Sequence, residues 1–220
     1  MSEPAPIAEP ALLAESGGVY ALSKPAGWVV HAAMARETHE LRAWCASPRS
    51  LPRGLEPLHR LDRDTSGVVL FAADPAIRAA VGKAFMAGEV KKTYLALVFG
   101  KAHQKGKIDR PLAPDDGGEP QEALTRYRME ERLGGFSLLR VMPETGRKHQ
   151  VRRHLQGIGH PVVGDERYHL RRFRAVPAFP GRLWLHALRI ELPDGRAFEA
   201  PLPAELDAHL AALRAGMRSE

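Results

Sequence analysis

The sequence predicts an α+β domain built on a mixed, mainly antiparallel sheet. Three observations carry this. Strand-like segments follow one another without the regular helical crossovers that a doubly wound parallel sheet needs. Only three segments carry a helical pattern with start and stop signals. The length of 220 residues and a hydrophobic fraction of 44% suit one packed domain.

Taken in chain order, residues 1–18 read as a flexible arm of Pro, Ala, Glu and Gly. The single domain is then expected over residues 19–216. "VYALSKPAG" is a short strand ending in a Pro-Ala-Gly turn. Residues 46–57 read as loop. "GVVLFAA" is a continuous apolar run of strand length rich in β-branched residues, as in a buried strand. Asp74-Pro75 looks like an N-cap followed by proline at the first helical position. Ile77, Val81 and Phe85 recur every four residues, so one face of that helix is apolar, and Gly88 ends it.

"KKTYLALVFG" is the next strand, and roughly 101–121 a polar loop with a short hairpin. "ALTRYRM" and "FSLLRVMP" are two strands joined around Gly134-Gly135. "GRKHQVRRHLQGIG" has helical character. "RLWLHALRIELP" is a strand, "PDGR" a tight turn, and "PAELDAHLAALRAG" a closing helix with a proline start and glycine stop.

Composition narrows the classes. Cys45 is the one cysteine, which excludes an intrachain disulfide and any cysteine zinc site and fits a reducing compartment. "MSEPAPIAEP" has neither a basic n-region nor an apolar h-region, so no export signal is expected and the expected location is cytoplasmic. The longest apolar run is far too short for a membrane span. The net charge is +6. From Arg147 to Arg174, eight Lys/Arg (Arg147, Lys148, Arg152, Arg153, Arg167, Arg171, Arg172, Arg174) face two acids, Asp165 and Glu166. Arg53, Arg60 and Arg63 form a second group. A polyanionic partner such as RNA is one reading of these groups, and two solvated faces the other.

The candidate chemistry centres on "HRLDRDTSG", His59 to Gly67. A carboxylate there could be a nucleophile, a general base or an ion-pair partner, and close arginines favour its ionised form. A salt-bridged loop is the competing reading, and spacing does not separate Asp62 from Asp64. The hydroxyls of Thr65 and Ser66 are expected to bond the aspartate. In "GRKHQVRRHL" the basic residues spread around a helix, so an arginine must turn inward and needs a buried anion, for which Asp62 or Asp64 is the expected partner. His149, His154 and His160 do not share a helical face as metal ligands would, and no metal is expected. Tyr94 follows Lys91 and Lys92 at a strand start. It reads either as half-buried core or as a base-stacking aromatic. No GxGxxG or GxxxxGK[ST] supports a nucleotide cofactor.

These motifs together resemble the RluA-type pseudouridine synthases. "KPAGWVVH", "HRLDRDTSG", "KKTYLALV", "TGRKHQVRRHL" with "HPVVGDERY", and "LWLHALRIELP" stand in that family's order, over about residues 18–203. The resemblance implies a pseudouridine synthase fold, a mixed sheet with a central RNA-binding cleft flanked by helices and loops. It implies isomerisation of a uridine in RNA with no cofactor. It assigns Asp62 as the catalytic aspartate, Tyr94 as the base-stacking residue and Arg152 as the partner that keeps Asp62 ionised. Arg60 is placed to fill the stack left by a flipped uridine, with His59, Lys92, Arg147, Lys148 and Val151 as further RNA contacts.

No room is expected for the S4-type domain of many relatives. The resemblance is greatest to the compact subgroup that modifies tRNA at a uridine of the position-sixty-five type. Ribosomal RNA, or both RNAs, is the alternative. A non-catalytic RNA-binding protein is the alternative from another class, and a monomer is expected.

Overall fold

The structure, a computed structural model, describes residues 8–32, 38–47, 51–169 and 175–217. Arg171, Arg172 and Arg174 of the basic segment, and the first residues of the expected arm, lie outside them. The chain divides into two compact units, residues 1–90 with 189–201, and residues 91–188 with 202–220.

The first unit begins with a correction. Residues 11–16 are not an arm but a strand, β1 (Ala11–Ser16), paired antiparallel with β2 (Val19–Lys24). Ser16 faces Val19, leaving the two-residue loop Gly17-Gly18, with φ of 57° and 75°. Both positive angles suit a hairpin turn that matches strand twist, and glycine adopts them freely. The chain before β1 is also tied down: the Trp28 indole donates to the Ala8 carbonyl and the Trp44 indole to Glu9.

Short helix α1 (Leu41–Ala46) arose from no sequence signal. Its first N–H groups donate to Val29 and Val30 carbonyls, so its N-terminus is satisfied by a distant segment and not by a local cap. Strand β3 (Glu56–Pro57) adds two residues to β4 (Ser66–Ala72), which is buried throughout and pairs antiparallel with β2. Helix α2 (Pro75–Met86) is capped as expected, Asp74 accepting from the Ala76 N–H. Its Ile77, Val81 and Phe85 pack on Val19, Val68 and Leu70 in this unit's core. Strand β9 (Leu185–Glu191) runs from the second unit into the first, where β10 (Ala197–Glu199) pairs with its last residues.

In the second unit, β5 (Lys91–Phe99), β8 (Phe136–Pro143), β7 (Leu124–Leu133) and β6 (Lys105–Asp109) lie in that spatial order, all antiparallel. Within the expected loop and short hairpin over 101–121 lie β6, which joins the sheet, and an antiparallel bridge between Leu112 and Gln121. Gly134-Gly135 forms the tight β7–β8 turn, Leu133 facing Phe136. Helix α3 (Gln150–Gly157) buries Val151, Arg152, His154 and Leu155. Helix α4 (Ala204–Met217) places Leu206, Leu210 and Leu213 in the same core as Ala96, Leu139 and Trp184.

Candidate active site

Unit one presents "HRLDRDTSG" on the loop that enters β4. Asp62 is half-buried, while Arg60, Arg63 and Asp64 are exposed, so burial distinguishes two aspartates that spacing left equivalent. The loop is closed by the Thr65 N–H donating to the Asp62 carbonyl at 3.2 Å. The expected role of the Thr65 hydroxyl fails: it is buried and has no hydrogen-bond partner.

The second support is Lys24, at the end of β2 and 0% exposed. Its ammonium donates to the carbonyls of Pro25 (3.0 Å), Trp28 (2.7 Å) and Arg63 (2.9 Å). The Gly27 N–H donates to the same Arg63 carbonyl at 3.0 Å. The residue beside Asp62 is therefore pinned to "KPAGW" at two points. A buried ammonium is tolerated only with such a set of acceptors. Lys24 lies two residues after the buried Leu22, so strand alternation puts both on one face, the signal that could have found it. His59 is engaged within the unit: its Nε2 accepts from the Leu70 N–H at 3.0 Å, which leaves the ring proton on Nδ1, and the ring lies 5.0 Å from Phe85.

Unit two carries Tyr94 and Arg152. Tyr94 is half-buried near the start of β5, opposite Val141 and packed against the core. Arg152 is turned inward, as expected, and is 7% exposed. The buried anion that its own unit provides is Asp165. Arg152 Nε and Nη2 donate to the two Asp165 oxygens at 2.7 and 2.8 Å, a planar fork that fixes the guanidinium. Asp165 also accepts the N–H groups of Arg167 and Tyr168. Burial alone would raise its carboxyl, but the Arg152 fork and those N–H groups outweigh it and hold it below the usual range. The guanidinium lies 5.1 Å over the Tyr168 ring, whose hydroxyl is 3.0 Å from His149 Nδ1.

The turn before α3 is organised by Gln150, a residue that sequence reading passed over. Buried to 4% exposure, it uses both ends of its amide. Its oxygen accepts from the Thr145 hydroxyl and the Arg147 N–H, and its NH2 donates to Leu124 and Thr125. Above this pin Arg147 and Lys148 stand exposed, Arg147 donating to the Glu122 carbonyl. Lys92 donates to the Thr145 carbonyl at 2.9 Å, and burial pushes its ammonium below the usual lysine range. Val151 is core, 6% exposed. His154 bonds Thr125 and Arg110, and His160 bonds Phe99.

The chain's residues 18–157 match the family model described as RNA pseudouridylate synthase. The chain belongs to this family. It is an RNA isomerase that converts uridine to pseudouridine. It is 37% identical over 196 residues to a tRNA pseudouridine synthase C of Pasteurella multocida, covering 77% of this chain and 80% of that protein. It is 34% identical over 223 residues to a ribosomal large subunit pseudouridine synthase C of Vibrio cholerae, covering 94% and 70%. A solved structure titled human RNA pseudouridylate synthase domain containing 4 aligns with a TM-score of 0.79, at 25% identity and 92% coverage of each chain. The α+β fold expected from the strand pattern is thus that of a pseudouridine synthase.

Proposed function

We propose that Asp62, Tyr94 and Arg152 act on one uridine of a structured RNA, and that this RNA is tRNA. Asp62 attacks or deprotonates at the sugar, the N1–C1′ bond breaks, the base turns, and C5 bonds to C1′. The C5 proton then leaves and N1 gains one. Tyr94 stacks on the base and assists loss of the C5 proton, and Arg152 favours the ionised Asp62. A stacked uridine hides these atoms, so it must flip out, with Arg60 filling the gap. Lys92, Arg147 and Lys148 hold phosphates, and His59 and Val151 support the loop and helix that carry the neighbouring contacts.

The observation that carries the reading is the loop of Asp62. A half-buried carboxylate between two exposed arginines sits on a backbone clamped by a buried ammonium, which is a rigid mount for a reacting group. The tRNA substrate, with a uridine of the position-sixty-five type, is supported by the likeness of "TGRKHQVRRHL" to that subgroup and by the name of the Pasteurella relative. Ribosomal RNA is the second reading, supported by the name of the Vibrio relative. We further infer a cytoplasmic monomer that needs no cofactor; the single cysteine, Cys45, is buried, in keeping with a reducing compartment.

Pseudouridine mapping of total RNA by carbodiimide treatment and reverse transcription, with and without the gene, tests the substrate. A stop lost from one tRNA position is the expected result. A stop lost only from ribosomal RNA would overturn the tRNA assignment.

A further inference from the structure

The second unit holds an exposed ion pair on a loop beside α3. Residues 112–121 fold back on themselves, Leu112 and Gln121 exchanging N–H···O bonds at 2.9 and 3.0 Å. The Gly117 N–H closes the tip on the Pro114 carbonyl, and the tip carries Asp115 and Asp116. Arg153 Nη1 donates to the Ala113 carbonyl at 2.9 Å and ties the loop to α3. Between this loop and residues 146–153 lies a groove of about 420 Å³, with Asp115 on one wall and Arg147 and Lys148 on the other.

One oxygen of Asp115 receives two cations from separate segments, Lys148 Nζ at 2.9 Å and Arg167 Nη2 at 3.3 Å. Both cationic side chains are about half exposed (55% and 53%), so the pair opens to solvent. An ammonium and a guanidinium converging on one anionic oxygen is the arrangement that grips a phosphodiester. The Lys148 hydrogen bond, ahead of the Arg167 charge, holds the Asp115 carboxyl below its usual range, so it stays anionic at neutral pH.

Exposed ion pairs are weak and screened, so such an occupant is easily displaced. RNA brings many phosphates and releases counterions as it binds, an advantage that one carboxylate on a loop tip lacks.

We propose that Lys148 and Arg167 form a clamp for a backbone phosphate of the RNA substrate, and that the Asp115 carboxylate occupies this clamp until RNA displaces it. The proposal rests on the reading of the chain as an RNA enzyme and adds Arg167 and Asp115 to the RNA-facing residues.

The test is binding of bulk tRNA to the full chain by filter retention, from 50 to 200 mM salt. Asp115→Asn keeps the side chain's size and removes its charge. It is expected to bind several-fold tighter at low salt, with a log–log salt slope steeper by about one, the change for one more phosphate neutralised. Asp115→Ser should do the same. Adding Arg167→Gln to Asp115→Asn should cancel the gain. Affinity that is unchanged or weaker in both Asp115 variants, with the wild-type slope, overturns the clamp. Pseudouridine formation, scored in the same samples, separates this from the enzyme reading. Conversion by the wild type with no gain in the variants sinks only the clamp. Gain without conversion in any sample sinks only the enzyme reading.

Discussion

Lys24 shows how one buried charge organises the loop that carries Asp62. Its three carbonyl acceptors come from "KPAGW" and from Arg63, next to Asp62. Lys24→Met would remove this donor from all three in a dry site, leaving the Arg63 carbonyl only the Gly27 N–H, at a cost of about 3 kcal/mol of stability. Denaturant unfolding checks this. Steady-state kinetics should show kcat falling more than KM, because the loop's geometry and not RNA affinity is disturbed. Asp165 plays the matching part for Arg152. Asp165→Asn breaks a buried charge pair and is expected to destabilise by about 3–5 kcal/mol. Its depressed carboxyl gives the sign of the acid response. The contribution is complete above the ordinary aspartate pKa and is lost as the pH falls through the lower folded value. Neither residue's role was legible in sequence, because the contact that matters for each is non-local: Lys24 reaches the Arg63 carbonyl and Asp165 reaches back to Arg152. Asp62 was legible as a candidate, but its separation from Asp64 came from the family motif and then from burial.

At the scale of elements, what was legible is what is specified locally. β4 reads from a continuous apolar run, α2 from its Asp-Pro start and four-residue apolar repeat, and α4 from its proline and glycine punctuation. The elements that escaped take their order from elsewhere. Helix α1 has its first N–H groups satisfied by Val29 and Val30. Strands β3 and β10 are two and three residues long and exist only as additions to β4 and β9. β1 did have a local signal, the Gly17-Gly18 pair, which in an alanine- and proline-rich stretch reads equally as flexibility. Gln150 belongs to this scale too, since it joins the turn before α3 to β7. Gln150→Leu should cost about 2–3 kcal/mol by denaturant unfolding, since its partners stay buried and unpaired. Asp74→Ala, which removes only the α2 cap, should cost about 1 kcal/mol.

At the scale of the molecule, buried histidines contribute to the response of stability to mild acid. His154 and His209 are each pushed below the ordinary histidine range, mainly by burial. Both ring nitrogens of each are committed: His209 accepts from the Trp184 indole and donates to the Pro177 carbonyl, and His154 lies between Thr125 and Arg110. The unfolded chain therefore takes up protons near pH 6.5 that the folded chain refuses. Stability should be flat above that pH, fall as the pH drops below it, and level off beneath the folded values. Chemical denaturation between pH 8 and 5 measures this, and a flat profile would contradict it. The basic surface adds a second dependence: RNA affinity should fall steeply with salt.

The account turns on Asp62, so the most direct measurement is pseudouridine formation by the Asp62→Asn variant in the RNA that the wild type modifies. The account predicts no detectable conversion, with RNA binding and the unfolding midpoint close to wild type. Conversion by the variant at the wild-type rate would contradict it.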